Sequence, residues 1–209
     1  MSPTFSPSSL YATLIIFIFV PQGTTCTLVN RCDYTVWPAI LSSAGSSDLG
    51  STGFQLDTGS TRSFLAQSSW SGRFWARTGC SFDPTTGQGS CVTGDCGSNR
   101  IDCDGAGAAP LATLVKFMIG SGGAQDFYDV SLVDGYNLPV MVEASGGRDE
   151  YCCSGAYGLP ASCRSSVYSE VFKNACPRSY NYAYDDATST FTCTAADYTI
   201  TFCPSLARY

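Results

Sequence analysis

Two residue types in this chain can carry chemistry in quantity, and a third is missing. The 209 residues hold 12 cysteines and 17 acidic against 11 basic side chains, but no histidine. Without imidazole there is no Ser-His or Cys-His nucleophile and no zinc site of the histidine type. Carboxyl pairs remain available for acid-base work on a glycosidic bond. That reaction needs two of them about 5–9.5 Å apart, one held protonated. The cysteines can close disulfides. Their spacings lack the CxxC pattern of a cytosolic zinc site, so no metal and no other cofactor is expected. The net charge of −6 argues against nucleic acid, whose phosphates need a basic surface, and disfavours a hold on anionic lipid.

The redox compartment follows from the N-terminus. Residues 1–26 carry no Lys, Arg, Asp or Glu, and Leu10 to Val20 is an apolar run of eleven. A spanning helix needs about 20 such residues, so the run reads as the core of a secretory signal, cleaved after Gly23 or after Cys26. No other run approaches spanning length, and the mature chain is expected to be soluble and secreted. In an oxidising compartment the cysteines form a framework of cross-links. No Asn-x-Ser/Thr acceptor for N-glycosylation occurs.

The elements that must position these residues are strands. Short β-branched or alternating segments recur at Thr27–Val29, Thr35–Trp37, Arg73–Ala76, Ala112–Ile119, Phe127–Val133, Pro139–Val142 and Tyr198–Phe202, with glycine-rich turns between them. That pattern predicts an all-β sandwich. Thr199 to Phe202 alternates cleanly and predicts one wet face. One helix is expected: Ser165 or Ser166 caps it, Val167, Val171, Phe172 and Ala175 line one side, and Pro177 stops it. The one stretch that looks like a junction is Gly146 to Glu150.

The most specific segment is Gly87-Gln88-Gly89-Ser90-Cys91-Val92-Thr93-Gly94-Asp95-Cys96. It resembles the signature of thaumatin-like proteins, with Asn99 standing where the family usually has another glycine. The likeness extends to Thr27–Pro38, Gly72–Cys80, Cys103–Phe117, Asp126–Leu138, Tyr151–Pro160 and Ala175–Pro204. It therefore covers nearly everything after residue 26, which we read as one thaumatin-like domain, 27–209. The resemblance implies an antiparallel β-sandwich with disulfide-rich loops. It implies the pairs Cys32–Cys203, Cys80–Cys91, Cys96–Cys103 and Cys153–Cys163. By the entropy of loop closure the first constrains the unfolded chain most, by roughly 4–5 kcal/mol, and the short loops by about 2–3 kcal/mol each.

The chain departs from the long family form between Val142 and Tyr151. There Ala144 to Glu150 replaces a cysteine-rich loop domain, so the usual partners of Cys152, Cys176 and Cys193 are missing. Cys26 belongs to no family pair. Three outcomes stay open: Cys176 bonds Cys193 and leaves Cys152 unpaired, the orphans pair between chains, or the variant folds poorly. Because these cysteines persist, an internal deletion from a long form is the expectation.

The resemblance also implies an acidic cleft on the sandwich. Arg73, Asp129, Asp134 and Asp185 occupy its matching positions, Asp186 follows, and Lys116 replaces the family glutamate. On a straight strand Asp129 and Asp134 would face opposite sides, so a bend after Leu132 is required. An ammonium beside a carboxyl favours its charged form, the opposite of what a general acid needs. The resemblance implies a secreted defence protein of the apoplast or vacuole, monomeric, binding β-1,3-glucan or other fungal wall or membrane components, and Lys116 argues against its hydrolysing them. A weak endo-β-1,3-glucanase and an inactive truncated variant are the alternatives. Tyr128, Tyr136, Tyr180, Tyr182 and Tyr184 flank the acidic blocks and are the candidate sugar platforms.

Overall fold

The computed structural model describes residues 23–146 and 189–205. Its regular elements are strands: β1 (Gly23–Asn30), β2 (Trp37–Ser42), β3 (Thr61–Gln67), β4 (Ser71–Arg77), β5 (Ser81–Phe82), β6 (Gly89–Ser90), β7 (Leu114–Met118), β8 (Asp126–Ser131), β9 (Val140–Ser145), β10 (Phe191–Cys193) and β11 (Asp197–Phe202). One sheet runs β3-β1-β11-β9, a second β10-β8-β7-β4-β2, and β5 pairs with β6. β1 and β11 run parallel in the middle of the first sheet, Cys26 opposite Tyr198 and Asn30 opposite Phe202.

The two larger sheets form a sandwich because each presents an apolar face. Leu28, Phe64, Tyr198, Ile200 and Phe202 from the first meet Ile40, Phe74, Val115 and Phe117 from the second in one buried cluster. Each such side chain contributes about 1.5–3 kcal/mol by leaving water. Aromatic rings run through this core: Phe74 meets Phe117 edge-on at 5.9 Å, and Phe117 meets Tyr198 at 4.9 Å. One carboxylate lies inside. Asp126 is 3% exposed and accepts hydrogen bonds from Gly120 N and Tyr198 Oη, both at 2.8 Å.

Several expectations change. β11 keeps its wet face only towards one end: Asp197 is exposed and Thr199 half-buried, but Thr201 is buried, flanked by Val29 and Met141 on the neighbouring strands. Ala144 and Ser145 are not junction but the end of β9, opposite Tyr198 and Asp197. β1 begins at Gly23, ahead of the expected strand, and Cys26 is fully buried in it. Asn99 sits at φ 57°, a left-handed conformation that glycine adopts freely and asparagine tolerates, so its exchange for the family glycine is compatible with the backbone.

Cys32–Cys203, Cys80–Cys91 and Cys96–Cys103 are bonded. Cys193 is disulfide-bonded as well, which corrects its expected place among the unpaired; its partner lies outside the described residues. Cys26 is a free, buried thiol. Cys152, Cys153, Cys163 and Cys176 lie outside the described residues, as do the expected helix, Asp185, Asp186, Tyr180, Tyr182 and Tyr184.

A count of thiols follows. With Cys26 free and three bonds closed, five cysteines remain, an odd number that closes at most two bonds. The unfolded, unreduced monomer is therefore expected to show at least two thiols, and a count of one or none in the mass spectrum would contradict this pairing. In the folded protein Cys26 is expected to resist alkylation, because it is buried. Burial, with Asp197 and Asp126 adding to it, pushes its pKa up to about 12 from 9. A raised thiol pKa stabilises the fold below the unfolded value and loses that stabilisation as pH climbs from about 9 towards 12. Unfolding scans should show alkaline destabilisation in that window, smaller in Cys26→Ala.

Candidate functional site

The site grows out of the alternation of β4, β7 and β8. Phe74, Val115, Phe117 and Tyr128 point into the sandwich, so their neighbours Arg73, Lys116 and Asp129 point to the outer face. Register then sets them side by side. Leu41 stands opposite Arg73, Arg73 opposite Lys116, and Lys116 opposite Asp129. Strands lie about 4.8 Å apart, so the row spans about 14 Å. Arg73, Lys116 and Asp129 are each half-buried. Lys116 Nζ donates to Ser131 Oγ at 3.2 Å, two residues beyond Asp129 on the same face. The Arg73 side chain has no hydrogen bond or ion pair to another described residue.

Asp134 lies in the turn after β8. The strand ends at Ser131, Gly135 N donates to Leu132 O at 3.0 Å, and Gly135 takes φ +100°, which a side chain would resist. This supplies the bend that the Asp129–Asp134 spacing requires. Asp134 is half-buried, and its carbonyl accepts from Ala112 N. Arg73, Lys116 and Asp129 thus share one row, Asp134 follows it in the turn, and Asp185 lies outside the described residues.

The next row on this face is dry. Ala39, Trp75 and Leu114 pack with Cys103 and Ala112 in a second buried cluster. The Thr93-Gly94-Asp95 signature clamps that cluster. Gly94 O accepts from Trp75 Nε1 at 2.8 Å. Thr93 Oγ1 meets Thr78 Oγ1 at 2.7 Å and accepts from Asn137 Nδ2 at 3.0 Å. Asp95 accepts from Cys91 N and Gly97 N, both at 2.6 Å. The most specific motif in the chain is therefore a structural knot beside the row.

Tyr128 is no sugar platform. It stacks on Phe117 at 5.8 Å and on Phe191 at 5.5 Å against the sandwich core. Tyr136 is 43% exposed in the loop after β8. Sequence reasoning missed Ser131, whose place on the same face as Asp129 was readable from the period of two, and Arg77. Among the described residues no group of acidic and cysteine side chains could hold a metal, and no helix is long and apolar enough to cross a membrane.

The pattern of the Thaumatin family matches residues 30–146 and 144–204, two segments that meet at the end of β9. Thaumatin-like protein 1 of Arabidopsis thaliana is 55% identical over an alignment of 250 positions that covers 96% of each chain. A Prunus avium protein named glucan endo-1,3-beta-glucosidase is 40% identical over 225 positions, 88% of this chain and 91% of its own. A solved thaumatin-like xylanase inhibitor superposes with a TM-score of 0.57 at 30% identity, covering 86% of this chain and 99% of its own. With its sandwich, its three family disulfides and a family match along most of its length, this chain belongs to the thaumatin family.

Proposed function

We propose that this chain is a secreted plant defence protein that binds β-1,3-glucan of fungal walls on the outer face of its second sheet and does not hydrolyse it. One observation carries the reading: Lys116 stands in register between Arg73 and Asp129. A cation there favours ionised carboxylates, whereas glycoside hydrolysis needs one carboxyl kept protonated. Three disulfides fit export to an oxidising compartment. Strand pairing that begins at Gly23 and includes Cys26 favours cleavage of the leader after Gly23 over cleavage after Cys26, because the first keeps all but one residue of β1. The two-segment family match, and an alignment longer than the chain itself, support an internal deletion near 144–150. A transcript encoding further residues between Val142 and Tyr151 would overturn the deletion.

The test uses insoluble β-1,3-glucan. The protein is expected to sediment with it and to release no reducing sugar; failure to sediment overturns binding. Lys116→Glu removes the cation from between Arg73 and Asp129, so any trace of hydrolysis should hold or rise in that variant. A fall in hydrolysis would contradict the argument. A weak endo-β-1,3-glucanase is the second reading, supported by the name of the Prunus avium relative. Steady release of reducing sugar by the unaltered chain would establish it instead.

A further inference from the structure

The row does not stop at Arg73. Its last position is Leu41 on β2, and Leu41 is also a wall of a pocket of about 500 Å³ between the loop after β2 and the turn at Asp104–Gly105. That volume lies within the usual range of small-molecule sites. Ser42, Ser46, Asp48, Ser51, Thr52 and Asp104 supply its polar lining.

The walls are fixed to one another. Thr52 Oγ1 accepts from Cys103 N and Asp104 N, both at 3.1 Å, and clips one loop to the other. Asp102 and Cys103 belong to the segment anchored by the Cys96–Cys103 bond. At Gly105 a Cβ would meet nothing within 4 Å, so the mouth is open there.

We propose that this pocket is the end subsite of the same sheet face, taking a neutral hexosyl unit of a glucan that runs from Asp129 across Lys116 and Arg73. The proposal rests on the glucan-binding reading above. Two carboxylates in one pocket repel an anionic sugar and offer strong acceptors to hydroxyl donors. Asp48 Oδ1 accepts from Gly50 N at 2.8 Å, and Asp104 Oδ2 is held by Arg100. The second oxygen of each has no partner among the described residues. The aliphatic side of Leu41 gives the sugar's C–H face a dry surface. Row and pocket together are longer than the row's own span of about 14 Å, a track for an oligosaccharide and not a single sugar.

Titration calorimetry of the full chain with linear β-1,3-linked glucose di- and pentasaccharides tests it. The pentasaccharide should bind at least about tenfold tighter than the disaccharide, the equivalent of one to two net hydrogen bonds. Asp48→Ala combined with Asp104→Asn should abolish that gain at an unchanged melting temperature. A chain that binds both sugars equally, or a variant of unchanged melting temperature that keeps the full gain, overturns the subsite and leaves glucan binding standing. If neither sugar nor insoluble glucan binds, both proposals fall. If the variant melts early, Asp48→Asn alone decides: it keeps the acceptor of Gly50 N and should still lose most of the gain, and retention of the full gain overturns the subsite.

Discussion

Arg77→Met is expected to lower the unfolding free energy by about 3–5 kcal/mol, read as a shift in denaturant midpoint at constant slope. Arg77 is fully buried in β4. Its Nε donates to Trp37 O at 3.1 Å, Nη1 to Arg100 O at 3.3 Å, and Nη2 to Ile101 O. Burial pulls the guanidinium below its usual pKa, while Asp95 and Asp102 act the other way. Methionine would fill much of the volume but leave three carbonyls without their donor, each costing about 1–3 kcal/mol if water cannot reach it. Gly53 shows how closely the site is built: a Cβ there would collide with Ile101 O and Arg77 Nη2. Lysine keeps the charge but loses the planar fork, so Arg77→Lys should remain clearly destabilised. A loss below about 1 kcal/mol for the methionine variant would show that the loop reorganises around the missing group.

The second large effect belongs to the longest cross-link. Cys32→Ala with Cys203→Ala should cost about 4–5 kcal/mol, against about 2–3 kcal/mol for Cys96→Ala with Cys103→Ala. The reason is the length of chain each bond closes: sequence separations of 171 and 7. The long bond also fastens the exits of β1 and β11, which pair side by side. Calorimetric unfolding of the two double variants checks the ranking. If the short-loop variant proves as unstable as the long-loop one, restriction of the unfolded chain is not what the long bond contributes.

How much of this was legible beforehand depends on the residue. β4, β7, β8 and β11 could be read from β-branched and aromatic alternation, because each has one face in the sandwich. β3 could not: in Thr61–Gln67 only Phe64 and Ala66 are buried, and the strand exists because β1 needs an antiparallel partner. The wet face expected of β11 gives out at Thr201 because alternation reports residue type and not what a neighbouring strand covers. At the site, the period of two placed Arg73, Lys116 and Asp129 on faces of their own strands. Only register, which no single strand encodes, lined them up. Arg77 was hidden for a different reason. Its acceptors are backbone carbonyls of Trp37, Arg100 and Ile101, and backbone acceptors leave no signature in side-chain type.

The parallel pairing of β1 with β11 bears on biosynthesis. A ribosome delivers Gly23–Asn30 long before Asp197–Phe202, so β1 must wait with one edge bare while the intervening chain is made. β3 can sheathe only its opposite side in the meantime. Completion of that layer is thus a late event of maturation, and a nascent chain stalled before Asp197 would present sticky backbone to its neighbours.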